Sequence, residues 1–156
     1  MPTKFHQPVT VDSLVTQGTA KLKITHADLT AAATSQVITF NTLAEANGGQ
    51  LMPAKSRVMY AWINLLTEFS GGAVSALVVK LGDAGSDTEL ITNVSVFTGA
   101  GAGLKVKSGS YTLGTYESAY APVVTFTATD GNVVALTAGA LEVVIQYETL
   151  STDAAF

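Results

Sequence analysis

The run VMYAWINLLTEF, Val58 to Phe69, is open to two readings that lead to different fold classes. Wound as a helix, it sets Met59, Trp62, Ile63 and Leu66 at i, i+3, i+4 and i+7 on one face; extended, it is a strand covered on both sides. Its flanks, MPAKS and SGG, leave little room for helix caps. The run is therefore read as a strand.

Around it the period is two. In LEVVIQYE, Leu141, Val143, Ile145 and Tyr147 share one face and Glu142, Gln146 and Glu148 the other, as in a half-buried strand. AKLKITH repeats the pattern, with Leu22 and Ile24 facing one way and Lys21, Lys23 and Thr25 the other, and SALVVKL turns Leu77, Val79 and Leu81 inward. TNVSVF, LKVK and PVVTFTAT are similar, rich in the residues strands favour. Turn clusters separate these runs: NGG at 47–49, SGG at 70–72, GDAGSD at 82–87, GAGAG at 99–103, SGS at 108–110, DGN at 130–132 and TAG at 137–139. Many short strands with such turns predict an all-β chain, an antiparallel β-sandwich or jelly roll with at most one or two short helical turns. One such turn is expected in ADLTAAATSQ (27–36), ahead of a strand at QVITF.

A length of 156 residues corresponds to about one domain. With no internal repeat and no long linker, residues 20–150 are assigned to one β-sandwich domain, 1–19 to a polar N-terminal arm and 151–156 to a C-terminal tail. Such ends either fray or dock on a neighbour. Hydrophobic residues make up 47% and charged residues 13%, against roughly a quarter charged in soluble domains, so something other than water is expected to cover part of the surface.

The 8 Lys+Arg against 12 Asp+Glu give a net charge of -4, and Arg57 is the only arginine. Nucleic-acid binding is therefore not expected, since it needs clustered cations to displace counterions from phosphates. Absence of cysteine removes disulfides, thiolate metal sites and a Cys nucleophile. MPTKFHQPVTVDS lacks the apolar core of a secretory signal, and no apolar run approaches the roughly 18 residues of a membrane span. The chain is expected to be soluble, made in a cytoplasm and without membrane contact.

The most suggestive polar stretch is VVKLGDAGSDTELI (78–91), which puts Asp83, Asp87 and Glu89 in a glycine-bearing loop. Their spacing does not match an EF-hand, whereas Gly for positive φ and Asp or Ser for capping the local backbone suit a turn. They are candidate metal ligands only against that simpler reading. His6 and His26 stand twenty positions apart, too far for a zinc helix or a cupin-type cage; His26 shares parity with Leu22 and Ile24 and reads as a boundary residue of that strand. No GxSxG elbow is present. Glu142 and Glu148, on one strand face, could in principle act as a glycosidase pair but read as a solvated face. GAGAG is not a phosphate-binding loop, and Asn93-Val94-Ser95, a formal sequon, falls inside a strand of a chain without a signal peptide. No enzyme activity and no cofactor are expected.

Taken together, the runs from TSQVITFNTLAEANGG through SRVMYAWINLLTEFSGG and SALVVKLGDAGSDTELITNVSVF, with the closing NVVALTAGALEVVIQYETLS, resemble small β-sandwich virion proteins of tailed bacteriophages. In these a strand carrying a Gly-Asp turn, here Leu81-Gly82-Asp83, leads into a second strand. The resemblance covers about residues 20–150. It implies a head decoration or cement protein on the outer capsid surface of the virion, made in the host cytoplasm, a homotrimer with the major capsid protein as its partner. Contacts are expected at Phe5 and His6 in the arm, at Tyr111, Tyr116 and Tyr120 in SYTLGTYESAY, and at Phe156. The alternatives are a tail or baseplate module binding a receptor or glycan, for which the tyrosines would be the stacking surface and Trp62 is too buried-looking, and a tail-tube or connector subunit forming rings of six.

Overall fold

The computed structural model describes residues 15–108 and 120–150. They form β1 (Val15–Thr25), β2 (Ser35–Thr39), α1 (Phe40–Ala46), β3 (Ser56–Ser70), β4 (Ala76–Asp83), β5 (Ile91–Ser95), β6 (Lys105–Lys107), β7 (Pro122–Thr129) and β8 (Ala138–Leu150), with 3-10 turns at His26–Asp28 and Val133–Ala135. The strands make two four-stranded sheets, ordered β1-β8-β3-β6 and β2-β7-β4-β5, and every strand pair named within them is antiparallel. Except at the β4–β5 hairpin, successive strands cross from one sheet to the other. An eight-stranded double sheet wound this way is a jelly roll.

The two sheets bury their inner faces against each other. Leu77, Val79 and Leu81 of β4, Leu141, Val143 and Ile145 of β8, and Leu22 and Ile24 of β1 are all fully enclosed, as their alternation predicts. Phe69 and Phe126 meet across the gap with ring centroids 5.8 Å apart and planes tilted by 57°, a geometry aromatic pairs favour.

VMYAWINLLTEF lies inside β3, 15 residues long. That strand changes register against β8 between Val58 and Tyr60. The extra residue, Met59, makes a β-bulge, and a bulge reverses which parity faces inward: Val58 is buried before it, Ala61, Ile63 and Leu65 after it. Tyr60 and Trp62 consequently turn outward, and Trp62 is half-exposed rather than buried.

Five other expectations are corrected. The strand expected at QVITF ends at Thr39, and Phe40 opens α1, a seven-residue helix that buries Phe40 and Ala44. The NGG at 47–49, expected as a turn between strands, instead closes this helix, with Asn47 N–H donating to Leu43 O and Gly49 N–H to Ala44 O. Asn41 then pins the returning chain, its side-chain amide donating to Met52 O at 2.8 Å and its Oδ1 accepting from Met52 N–H at 2.9 Å. The TAG at 137–139 is not a turn either, since Gly139 lies within β8. His26 leaves the strand and opens the first 3-10 turn, which Asp28 holds by accepting from the Thr25 backbone N–H at 2.8 Å and the Thr25 hydroxyl at 2.9 Å. Finally, residues 15–19, assigned to the arm, pair with β8 from Val15↔Leu150 to Thr19↔Gln146, so the sandwich begins earlier than residue 20. Residues 1–14 and 151–156 lie outside the described residues.

Candidate functional site

The acidic loop joins β4 to β5. Its shape is set by Gly82, where a Cβ would come within 2.6 Å of the Asp87 backbone carbon and 2.9 Å of its Cα; only glycine lets the loop fold back so tightly. Asp83 Oδ1 accepts from the backbone N–H groups of Gly85 (2.8 Å) and Ser86 (2.7 Å), an Asx-type turn. Asp87 Oδ2 lies 3.6 Å from Lys80 Nζ. Glu89 Oε2 accepts from the Tyr120 hydroxyl at 3.4 Å. Burial, followed by the nearby Glu89 and Asp83 carboxylates, pushes the Tyr120 phenol above its ordinary range, so the hydroxyl keeps its proton and remains a donor.

All three carboxylates thus have partners within the chain, and among the described residues no group of three or more His, Cys, Asp or Glu is placed to hold a metal ion. The loop has the chemistry of a turn. We expect the melting temperature to be unchanged by a chelator both in the unaltered protein and in the D83S/D87S variant; a chelator-dependent fall in the unaltered protein would restore the metal reading.

Tyr120, expected on an exposed tyrosine cluster, is 9% exposed and belongs to the sandwich. Phe5, His6, Tyr111, Tyr116 and Phe156 lie outside the described residues. Beside the loop, Val37, Val123 and Thr125 complete a shallow groove of about 410 Å³ on the outside of the β2-β7-β4-β5 sheet. Val37 is 61% exposed on the edge strand β2.

The opposite outer face, on the β1-β8-β3-β6 sheet, was not singled out by sequence. Register places Lys21, Val144, Trp62 and Lys107 side by side across all four strands, and Lys23, Glu142, Asn64 and Lys105 in the next row. Tyr60 stands one row the other way, its ring 6.1 Å from that of Trp62. Lys107 Nζ sits 4.3 Å from the Tyr60 ring centroid and 5.5 Å from that of Trp62, within cation–π range of both. At the far end Arg57 donates twice to Glu148 Oε2, at 2.9 and 2.6 Å, and Gln17 donates to Oε1 at 3.1 Å. Glu148 is therefore 8% exposed and paired, not the solvated carboxylate its parity suggests. Glu142 accepts from Asn64 at 3.3 Å. Five of the chain's eight Lys and Arg residues, Lys21, Lys23, Arg57, Lys105 and Lys107, share this face.

No family model matches the chain, and no curated protein matches it. Among solved structures, it is similar to a chain in the Cyanophage Pam1 capsid asymmetric unit, with TM-score 0.56 and 15% identity over 86% of each chain. It is also similar to a chain in the acid-stable capsid of Helicobacter pylori bacteriophage KHP30, with TM-score 0.50 and 12% identity over 86% of this chain and 89% of that one. At these identities the likeness is one of fold. No helix among the described residues is long and apolar enough to cross a membrane.

Proposed function

We propose that this chain is a structural protein of a phage virion, a decoration or cement subunit that binds the outer capsid surface as a homotrimer and takes the major capsid protein as its partner. The observation that carries this reading is the likeness of the jelly roll, over 86% of both chains, to a chain of the Pam1 capsid. Surface chemistry supports it. Leu51, Leu66 and Val134, besides Val37, leave large apolar side chains about half exposed, and a threefold contact is a natural way to cover such surface. Four edge strands, β1 and β6 of one sheet and β2 and β5 of the other, offer backbone groups for strand addition by a neighbour. Gln50 already occupies part of the β1 edge through paired backbone bonds with Lys21. The arm of this reading is residues 1–14.

Light scattering on the purified protein is expected to give three times the chain mass of 16.1 kDa, and mixing with undecorated heads is expected to carry the protein into the head pellet. Deleting residues 2–14 should leave the melting temperature unchanged but weaken retention on heads several-fold; unchanged retention would remove the arm from the mechanism. A ring of six, or no affinity for heads, would move the assignment to the tail machinery or to a receptor-binding module.

A further inference from the structure

The two outer faces of the sandwich differ in charge. In a chain of net charge -4, five of eight cations stand on the β1-β8-β3-β6 face, and the acidic β4–β5 loop rises from the other sheet. Lys21, Lys23, Lys105 and Lys107 are all exposed, and among the described residues none of the four makes an ion pair. Between them, on β8 and β3, lie Val144 and Trp62, both half-buried. An apolar pair flanked by cations on both edge strands has the anatomy of a protein interface, an aromatic anchor inside a charged rim. Lys107 is already ordered against Tyr60 and Trp62, which lowers the entropic cost of using it.

We propose that this face lies flat on a carboxylate-rich protein surface, and that this surface is the exterior of the capsid shell. The inference deepens the decoration reading and rests on it. Nucleic acid fits the face less well, because Glu142 and Glu148 are interleaved among the cations and the one arginine is engaged by Glu148. A second copy fits less well too. Its acidic loop belongs to the opposite sheet, so joining cationic face to acidic loop is a head-to-tail contact that closes into a ring only if the rotation between copies allows it, and contacts on opposite sides of a sandwich favour a stack. A separate acidic protein answers both objections, and long-range attraction would orient the subunit with its cationic side down before contact.

The test uses undecorated heads, the full-length protein and two variants, K105E/K107E on the proposed face and K80E on the other sheet, each checked for an unchanged melting temperature. At low ionic strength K105E/K107E is expected to bind heads about tenfold or more weakly, with the gap narrowing as salt is added, and K80E to stay within about twofold of the unaltered protein. Equal binding by all three would overturn the docking face and leave the capsid reading intact. Failure of the unaltered protein to bind heads would overturn both. Binding of duplex DNA through Lys105 and Lys107, with heads ignored, would overturn the proposal in favour of a nucleic-acid surface.

Discussion

Replacing Gly139 by alanine is expected to lower the melting temperature by about 8–16 °C. Gly139 has φ +129, a backbone conformation that side chains rarely adopt, and a Cβ there would lie 2.7 Å from Phe69 Cα and closer still to the ring carbons Cγ and Cδ1. The backbone strain costs about 1–3 kcal/mol, and forcing an extra methyl into a packed core costs about 1–3 more. Phe69 cannot relieve the clash by rotating its ring, because its own backbone is part of the obstruction. At roughly 2–4 °C per kcal/mol for a chain of this size, a sum of about 4 kcal/mol gives the stated fall. A change of less than about 2 °C in a thermal melt followed by circular dichroism would show that β3 and β8 can part without penalty at this point.

The second large effect is expected at the partner of Phe69. Phe126 is fully buried in the middle of β7, and its ring packs on that of Phe69 across the gap between the two sheets. Truncation to alanine removes that contact and leaves a cavity that neighbouring strands, held in register on both sides, cannot collapse to fill. A loss of about 3–5 kcal/mol follows, and Phe126→Leu is expected to recover more than half of it by refilling most of the volume. Denaturant unfolding of the two variants measures both numbers. Equal loss in the alanine and leucine variants would mean that ring geometry, not volume, holds the sheets together.

The sandwich was legible because one face of each long strand is buried. Leu77, Val79 and Leu81, or Leu141, Val143 and Ile145, alternate with outward residues, and such a pattern survives only at a period of two. The turn reading of Asp83 was legible for a related reason. The side chain caps the backbone two and three residues on, so all the geometry lies within a few positions of sequence. Helix α1 was not legible. Seven residues carry too little periodicity to declare a helix, and NGG serves a helix end as readily as a turn between strands. Trp62 is not buried because the run, which reads as a strand covered on both sides, has only one face against the core, and past the bulge at Met59 Trp62 lies on the other.

The cationic face was hidden more deeply. Lys21 and Lys23 were correctly turned outward, but their neighbours across the sheet are Val144 and Glu142, then Trp62 and Asn64, then Lys107 and Lys105. That row exists only once β1, β8, β3 and β6 have been ordered, and no local pattern encodes a strand order in which every neighbour is distant in sequence. Glu148 shows the same limit. Its outward parity was right, and its burial comes from Arg57 and Gln17, 91 and 131 positions away.

Whether the chain decorates the outside of a phage head, as proposed, is decided by electron cryomicroscopy of undecorated heads incubated with the purified protein. Added density of jelly-roll size is expected on the outer shell, grouped in threes at local symmetry axes, with the β1-β8-β3-β6 sheet toward the shell. A bare outer surface, with the protein found only at the tail or in solution, would contradict the proposal.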